Sequence, residues 1–204
     1  NKALELSMFL SLPASVALFF GSEEIISALF GYGSFSKIAV LNSSKALYYF
    51  GLGLPAFALI KVFSTFFFAN HDTKTPFYIS LIGVILNIII SIYYFRNIGF
   101  IIIPIATTIS SWFNAFALLV FLYKRNLFHF NKIFFLKFIK IFLASIIMGM
   151  LFKYLILIFE YQLAYDFNLK SLYLMISVFL SIIFYLLFSL FIKAFKYKDI
   201  KLRY

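Results

Sequence analysis

ALYYFGLGLPAFALIKVFSTFFFANHDTKTP, running from Ala46 to Pro76, is the stretch from which the fold is read. Between Ala46 and Ala69 the only charged side chain is Lys61, and the apolar residues lack the strict alternation of a half-buried strand. The run is too long for a strand of a membrane barrel and matches the roughly 20 apolar residues that carry an α-helix across hydrocarbon. Helices satisfy their own backbone groups in lipid, so a transmembrane helix is the expectation. Asn70 to Pro76 then reads as a tight polar turn. Asp72 or Thr73 is placed to cap the next helix, Lys74 completes the DTKTP sequence, and Pro76 suits a first helical turn.

Working outward, the same pattern recurs at Leu4 to Phe20, Phe77 to Phe95, Ile101 to Tyr123, Phe135 to Phe159 and Leu172 to Phe195. The expected fold is all-α, a polytopic bundle of six transmembrane helices. Composition agrees: of 204 residues 64% are apolar and only 12% charged, with a mean hydropathy of +1.03, whereas about a quarter of residues are charged in soluble domains. No Cys is present, which excludes a disulfide scaffold and a thiolate metal site. The net charge of +11 is not read as a nucleic-acid footprint, because the charges fall between apolar spans rather than on a soluble surface. Opening at Asn1 rather than at Met, the chain is expected to be a fragment or a processed product lacking something upstream.

An even number of spans puts both ends on one side of the membrane. That side would hold twelve of the 18 Lys and Arg residues and the opposite side five, with Lys61 inside a span, so both ends are expected in the cytoplasm. The connections at Asn70 to Pro76 and Phe95 to Ile101 are short enough to force antiparallel neighbours. The longer stretch from Gly21 to Lys45 contains Glu23, Glu24, Ile25, Ile26, Leu29 and Phe30, spaced as a short amphipathic helix lying at the interface and ended by Gly31 and Gly33. On the last span Ser177, Ser181, Tyr185 and Ser189 recur every four residues. They form a stripe expected to pack on the preceding helix at Ser145 and Gly149.

LFGYGSF at Leu29 to Phe35, the Ala46 to Pro76 stretch, and ALELSMFLSLPASVAL at Ala3 to Leu18 together resemble the MurJ/MviN family of lipid II flippases. Asn87, Gly99 and Asn114 fit the same pattern. The resemblance implies the last six of fourteen helices of a two-lobed exporter fold, shared with multidrug, oligosaccharidyl-lipid and polysaccharide exporters. Residues 1–123 would be four helices of the C-terminal lobe, 124–134 a cytoplasmic loop, 135–195 a terminal helix pair bordering a lipid groove, and 196–204 a basic cytoplasmic tail. The implied activity is movement of the undecaprenyl-pyrophosphate-linked peptidoglycan precursor across the bacterial inner membrane by alternating access. The implied partners are that lipid-linked precursor, membrane phospholipids and an N-terminal lobe missing from this chain.

Lys61 is the first candidate contact to substrate, since a charge inside a span costs roughly 2.5–3.5 kcal/mol on insertion scales. Facing inward it could attract phosphate or pair with Asp72; alternatively it snorkels along about 12 Å of helix to the interface. Asn114 is a second cavity candidate. The resemblance also implies a candidate cation site, because some members bind sodium through oxygens at positions matching Asn87, Ser91, the Ile103 carbonyl and Thr107. Ser91 stands where such a member has a carboxylate, which removes charge compensation; coupling to sodium or to the membrane potential stays open. Interhelical hydrogen bonding explains the same polar residues without any ion. Pro55, after Gly51 and Gly53, is a hinge candidate or a site of packing relief.

No catalytic triad, HExxH, P-loop or dinucleotide fingerprint occurs, and Glu23 and Glu24 lack a partner marking an acid/base pair, so neither an enzyme nor a cofactor is expected. His71 and His129 are expected to be solvated. Two other readings remain: another exporter of the same superfamily, carrying a polysaccharide-lipid or drugs, and a nontransporting membrane scaffold. The scaffold reading draws support from spans taken to hold no carboxylate.

Overall fold

The computed structural model describes residues 2–128 and 131–194; Asn1, His129 and the tail from Lys196 to Arg203 lie outside the described residues. Among the described residues six long helices match the expected spans: α1 (Lys2–Phe30), α2 (Lys37–Ala69), α3 (Lys74–Ile98), α4 (Ile102–Lys124), α5 (Lys132–Ile158) and, after the single turn α6 (Glu160–Leu163), α7 (Lys170–Phe191). Among the described residues five helical stretches are long and apolar enough to cross a membrane, the stretch Lys74–Lys124, which holds both α3 and α4, being counted as one.

The interfacial helix expected between Gly21 and Lys45 is not a separate element. Gly21 departs from helical geometry (φ −130°, ψ 23°), but α1 continues beyond it to Phe30, because one glycine costs only about 1 kcal/mol and the residues after it favour helix. α2 starts at Lys37 rather than Ala46, where Ser36 Oγ accepts the Ala39 N–H at 3.2 Å. Lys45 therefore sits inside α2, and only residues 31–36 join the two helices.

The apolar stretch from Lys74 to Lys124 would be one continuous rod but for Gly99, whose φ of 74° and ψ of −154° suit glycine alone. A 3₁₀ turn at Gly99–Ile101 follows, and α4 folds back on α3. Asn87 bonds Thr107, and Asn114 bonds Ser80. Both pairs are centred on residue 97, as antiparallel helices require.

α4 also packs on α2, where Pro55 lacks the N–H that would complete the helical ladder. Nearby carbonyls are taken by α4 side chains: Thr108 Oγ1 donates to Tyr49 O at 2.7 Å and Trp112 Nε1 to Leu52 O at 3.1 Å. The hinge candidate is thus flanked by ties to its neighbour.

On the other side of α2, α1 carries α5 and α7. The α7 stripe of Ser177, Ser181, Tyr185 and Ser189 is buried as expected, and Ser145 of α5 is buried too, its hydroxyl bonded back to Ile141 O. The hydroxyls of Ser177, Ser181 and Ser189 bond back to their own helix. Gly149 does not face α7: a Cβ there would collide with Val16 of α1, so this glycine sets the α1–α5 spacing.

Candidate functional site

Two cavities lie against the helices that carry the candidate residues. The larger, about 790 Å³, is walled by Leu4, Met8 and Leu12 of α1, by Leu59 and Phe63 of α2, and by side chains of α4 and α5. Pro55 and Trp112 also line it, and the indole N–H is already committed to Leu52. At one end Phe63, Phe66 and Phe128 stack edge to face, with Phe134 buried in the same cluster. The cavity offers hydrocarbon and aromatic contact over nearly its whole wall. It fits an apolar chain rather than a charged group.

The second cavity, about 390 Å³, lies among α2, α3 and α4 and is polar on one wall, with Ser80, Asn87, Thr107, Ser110, Ser111 and Asn114. Three of the four proposed cation ligands line or approach this wall as links of one hydrogen-bonded chain. Ser91 Oγ donates to Asn87 Oδ1 (3.2 Å), Asn87 Nδ2 to Thr107 Oγ1 (3.0 Å), and Thr107 Oγ1 to the fourth, the Ile103 carbonyl (2.8 Å). The sequence reading therefore chose residues that do converge. As a sodium site the set does not fit by itself: its oxygens are neutral, those of Asn87, Thr107 and Ile103 already accept hydrogen bonds from Ser91, Asn87 and Thr107 respectively, and Asn87 turns its nitrogen to Thr107. Asn114 is buried, donates to Ser80 Oγ at 3.3 Å, and leaves its own Oδ1 without a partner.

Lys61 is exposed on α2, one helical turn beyond Phe57, which lines the polar cavity. It does not pair with Asp72. Asp72 instead accepts from the Thr75 hydroxyl (2.7 Å) and amide (3.0 Å) and from the Arg125 guanidinium, whose other nitrogen reaches Thr75 Oγ1 at 2.9 Å. Thr75's hydroxyl first, then its amide and Arg125, lower the Asp72 carboxyl from 3.8 to about 2. Asp72 rather than Thr73 thus supplies the side-chain cap at the start of α3; Thr73 makes no such bond. Lys74 opens the helix and Pro76 sits buried in its first turn, as expected. Exposed His71 takes a left-handed φ of 57° in this turn.

Sequence reasoning missed the ionic contacts of α1. Glu5 lies within the first span, is only 7% exposed and accepts from Lys137 Nζ at 2.6 Å, so the spans do contain a carboxylate. Glu24 faces Lys153 at 3.7 Å, so it too has a partner, though a structural one. Lys170, expected as a loop charge, is 1% exposed. Its ammonium donates to the Gly31 and Tyr165 carbonyls, 2.5 Å each, and lies 4.3 and 4.6 Å from the ring centres of Tyr32 and Tyr165. The position of Glu5 in the opening segment was a readable signal; the partner of Lys170, 139 residues away, was not.

A bundle of long apolar helices, with an apolar cleft and a polar groove between them, defines a polytopic α-helical membrane protein. The family model described as "Lipid II flippase MurJ" matches residues 1–174, and the chain belongs to that family. It is 33% identical over 87% of its length to the probable lipid II flippase MurJ of Rickettsia prowazekii, covering 34% of that protein. Against the lipid II flippase MurJ of Thermosipho africanus it is 31% identical over 93% of the chain and 36% of that protein. A solved structure described as lipid II flippase MurJ in an inward closed conformation superimposes with a TM-score of 0.76 at 30% identity, covering 95% of this chain and 38% of that one. The chain thus spans roughly a third of the length of these relatives. The family's name describes a transporter, in agreement with the expectation of no enzyme.

Proposed function

We propose that this chain is the C-terminal part of a lipid II flippase of the bacterial inner membrane, with both ends of the segment cytoplasmic. In the complete protein it would work against an N-terminal lobe by alternating access, moving the undecaprenyl-pyrophosphate-linked peptidoglycan precursor between leaflets. The observation that carries the reading is the apolar cleft between α1, α2, α4 and α5. Its wall suits the hydrocarbon tail of such a substrate, while the charged headgroup would need cations facing the space between the lobes.

Lys61 is the cation this segment offers to that space. An exposed lysine inside an apolar helix needs water, a lipid headgroup or an anion beside it, and a pyrophosphate passing between the lobes supplies the last. The polar chain from Ser91 to Ile103 holds α3 to α4. Sodium coupling at this place would require an anionic ligand from outside these helices, and the membrane potential is the alternative driving force.

Photocrosslinking tests the cleft. With p-benzoylphenylalanine at Leu119 in the complete flippase, irradiation in the presence of undecaprenyl phosphate should give a covalent lipid adduct several-fold more abundant than with the same residue at exposed Ile89 of α3. Equal labelling at both positions would mean ordinary bilayer contact and would remove the cleft from the account.

A further inference from the structure

Lys170 lines neither cavity, yet it is buried to 1% exposure. A charge withdrawn from water in this way is tolerated only where other groups compensate it. Among the described residues the acids that form ion pairs, Glu5, Glu24 and Asp72, do so with other bases. The Lys170 ammonium is held instead by the Gly31 and Tyr165 carbonyls and by the faces of Tyr32 and Tyr165. Gly31 and Tyr32 belong to the connection between α1 and α2, residues 31–36, and Tyr165 to the connection that leads into α7, residues 164–169. One ammonium therefore bridges two connections that are remote in sequence.

Neutral bonds cross the same boundary in both directions. The Tyr165 hydroxyl donates to Phe35 O at 2.6 Å. Ser171 Oγ gives its single proton to Ala28 O at 2.8 Å, so the Tyr32 hydroxyl is the donor in its 2.5 Å bond with Ser171 Oγ. Gly31 makes room for the cation: a Cβ there would stand 2.5 Å from Ser27 O and 3.2 Å from Lys170 Nζ. It also brings the ammonium to the carbonyl end of α1, where the helix dipole favours positive charge. Farther along α7 the hydroxyls of Ser177, Ser181 and Ser189 return to their own helix, and Tyr185 makes a separate tie to Phe9 of α1.

A hydrogen bond from a charged donor is roughly twice as strong as a neutral one, and removing this donor would bare two carbonyls at once. We propose that Lys170 is the pin of a clasp: its ammonium holds residues 31–36 and 164–169 closed on one another, and the two connections open together when it is withdrawn, while the Tyr185 end of α7 stays in place. The clasp acts whatever the apolar cleft carries.

Hydrogen exchange read by mass spectrometry, on the complete protein in nanodiscs, tests this. Each connection has turn amides to report on it, Phe35 N–H bonded to Tyr32 O and Phe167 N–H to Ala164 O. In the native protein both should show the same protection, since one opening exposes them. Lys170→Met should speed exchange in both by about tenfold or more, as loss of a charge-assisted bond requires, and leave the Gly99 turn and the segment around Tyr185 at native rates. Gly31→Ala, which crowds the ammonium from the other connection, should do the same. In Lys170→Ala, n-propylammonium replaces the atoms from Cγ to Nζ and should slow both segments again, whereas n-propanol should not. Acceleration confined to one connection, no acceleration in either, or equal rescue by the alcohol overturns the proposal. If none of the variants folds, the native protein still decides: unequal protection of the two connections overturns it, and equal protection upholds it.

Discussion

Pro13 has no amide hydrogen for the Phe9 carbonyl one turn before it, and the Tyr185 hydroxyl donates to that carbonyl from α7. A break in one helix thereby becomes a tie between two. Tyr185→Phe should leave the carbonyl bare and lower stability by about 1 kcal/mol, read as the change in unfolding free energy in detergent; no change would show that another donor takes its place. Asp72 carries the pH dependence at this scale. Its carboxyl titrates lower folded (about 2) than in its ordinary state (3.8), so its contribution is present above about pH 4 and is lost as the pH falls through about 2. Thermal melts of Asp72→Asn should sit below the wild type at neutral pH and converge with it near pH 2; parallel curves throughout would contradict the latch. Lys61→Ala, at wild-type membrane levels, should reduce lipid flipping by the complete protein, with Lys61→Arg restoring most of it. Normal flipping by Lys61→Ala would take Lys61 off the functional path. Asn87 with Ser91 and the Asp72–Thr75 turn were legible because their partners lie three or four residues away, and Thr107 joined them through the family resemblance. The partners of Glu5 and Lys170 were not, because a charge paired across more than a hundred residues looks, locally, like any other charge near a span end.

At the scale of elements, hydropathy located all six membrane helices, and the short polar or glycine-containing connections made α2–α3 and α3–α4 antiparallel. The misreadings fell on α1 and α2. The stretch from Gly21 to Lys45 reads as a connection carrying a short amphipathic helix at the interface, yet Glu24 finds Lys153 and the two long helices absorb most of the segment. Hydropathy measures where a chain can be in lipid, not where its helix ends. The α7 stripe shows the same limit: its burial followed from four-residue spacing, but Gly149 turned out to serve α1. Gly149→Leu should force α5 off Val16 and cost about 1–3 kcal/mol or more, visible as a lower unfolding temperature and a smaller yield of folded protein. An unaffected variant would mean that α1 and α5 are less closely set than the structure has them.

For the whole molecule, fold and family were legible because the apolar pattern and the DTKTP-bearing helix pair carry the family likeness in a chain that spans about a third of its relatives' length. The docking of α5 and α7 on α1 was not, since it depends on ties that join α1 to residues 132 and more positions away. The central claim, that these helices belong to a lipid II flippase whose apolar cleft receives the lipid tail, is tested most directly by rescue. Cells depleted of their own flippase would be given the complete protein containing these 204 residues, either as it is or with Ala115→Trp filling the cleft, and lipid II reaching the outer leaflet would be measured at equal protein levels. The account predicts restored outer-leaflet lipid II with the first and a loss of at least several-fold with the second. Failure of the first, or full transport by the second, would contradict it.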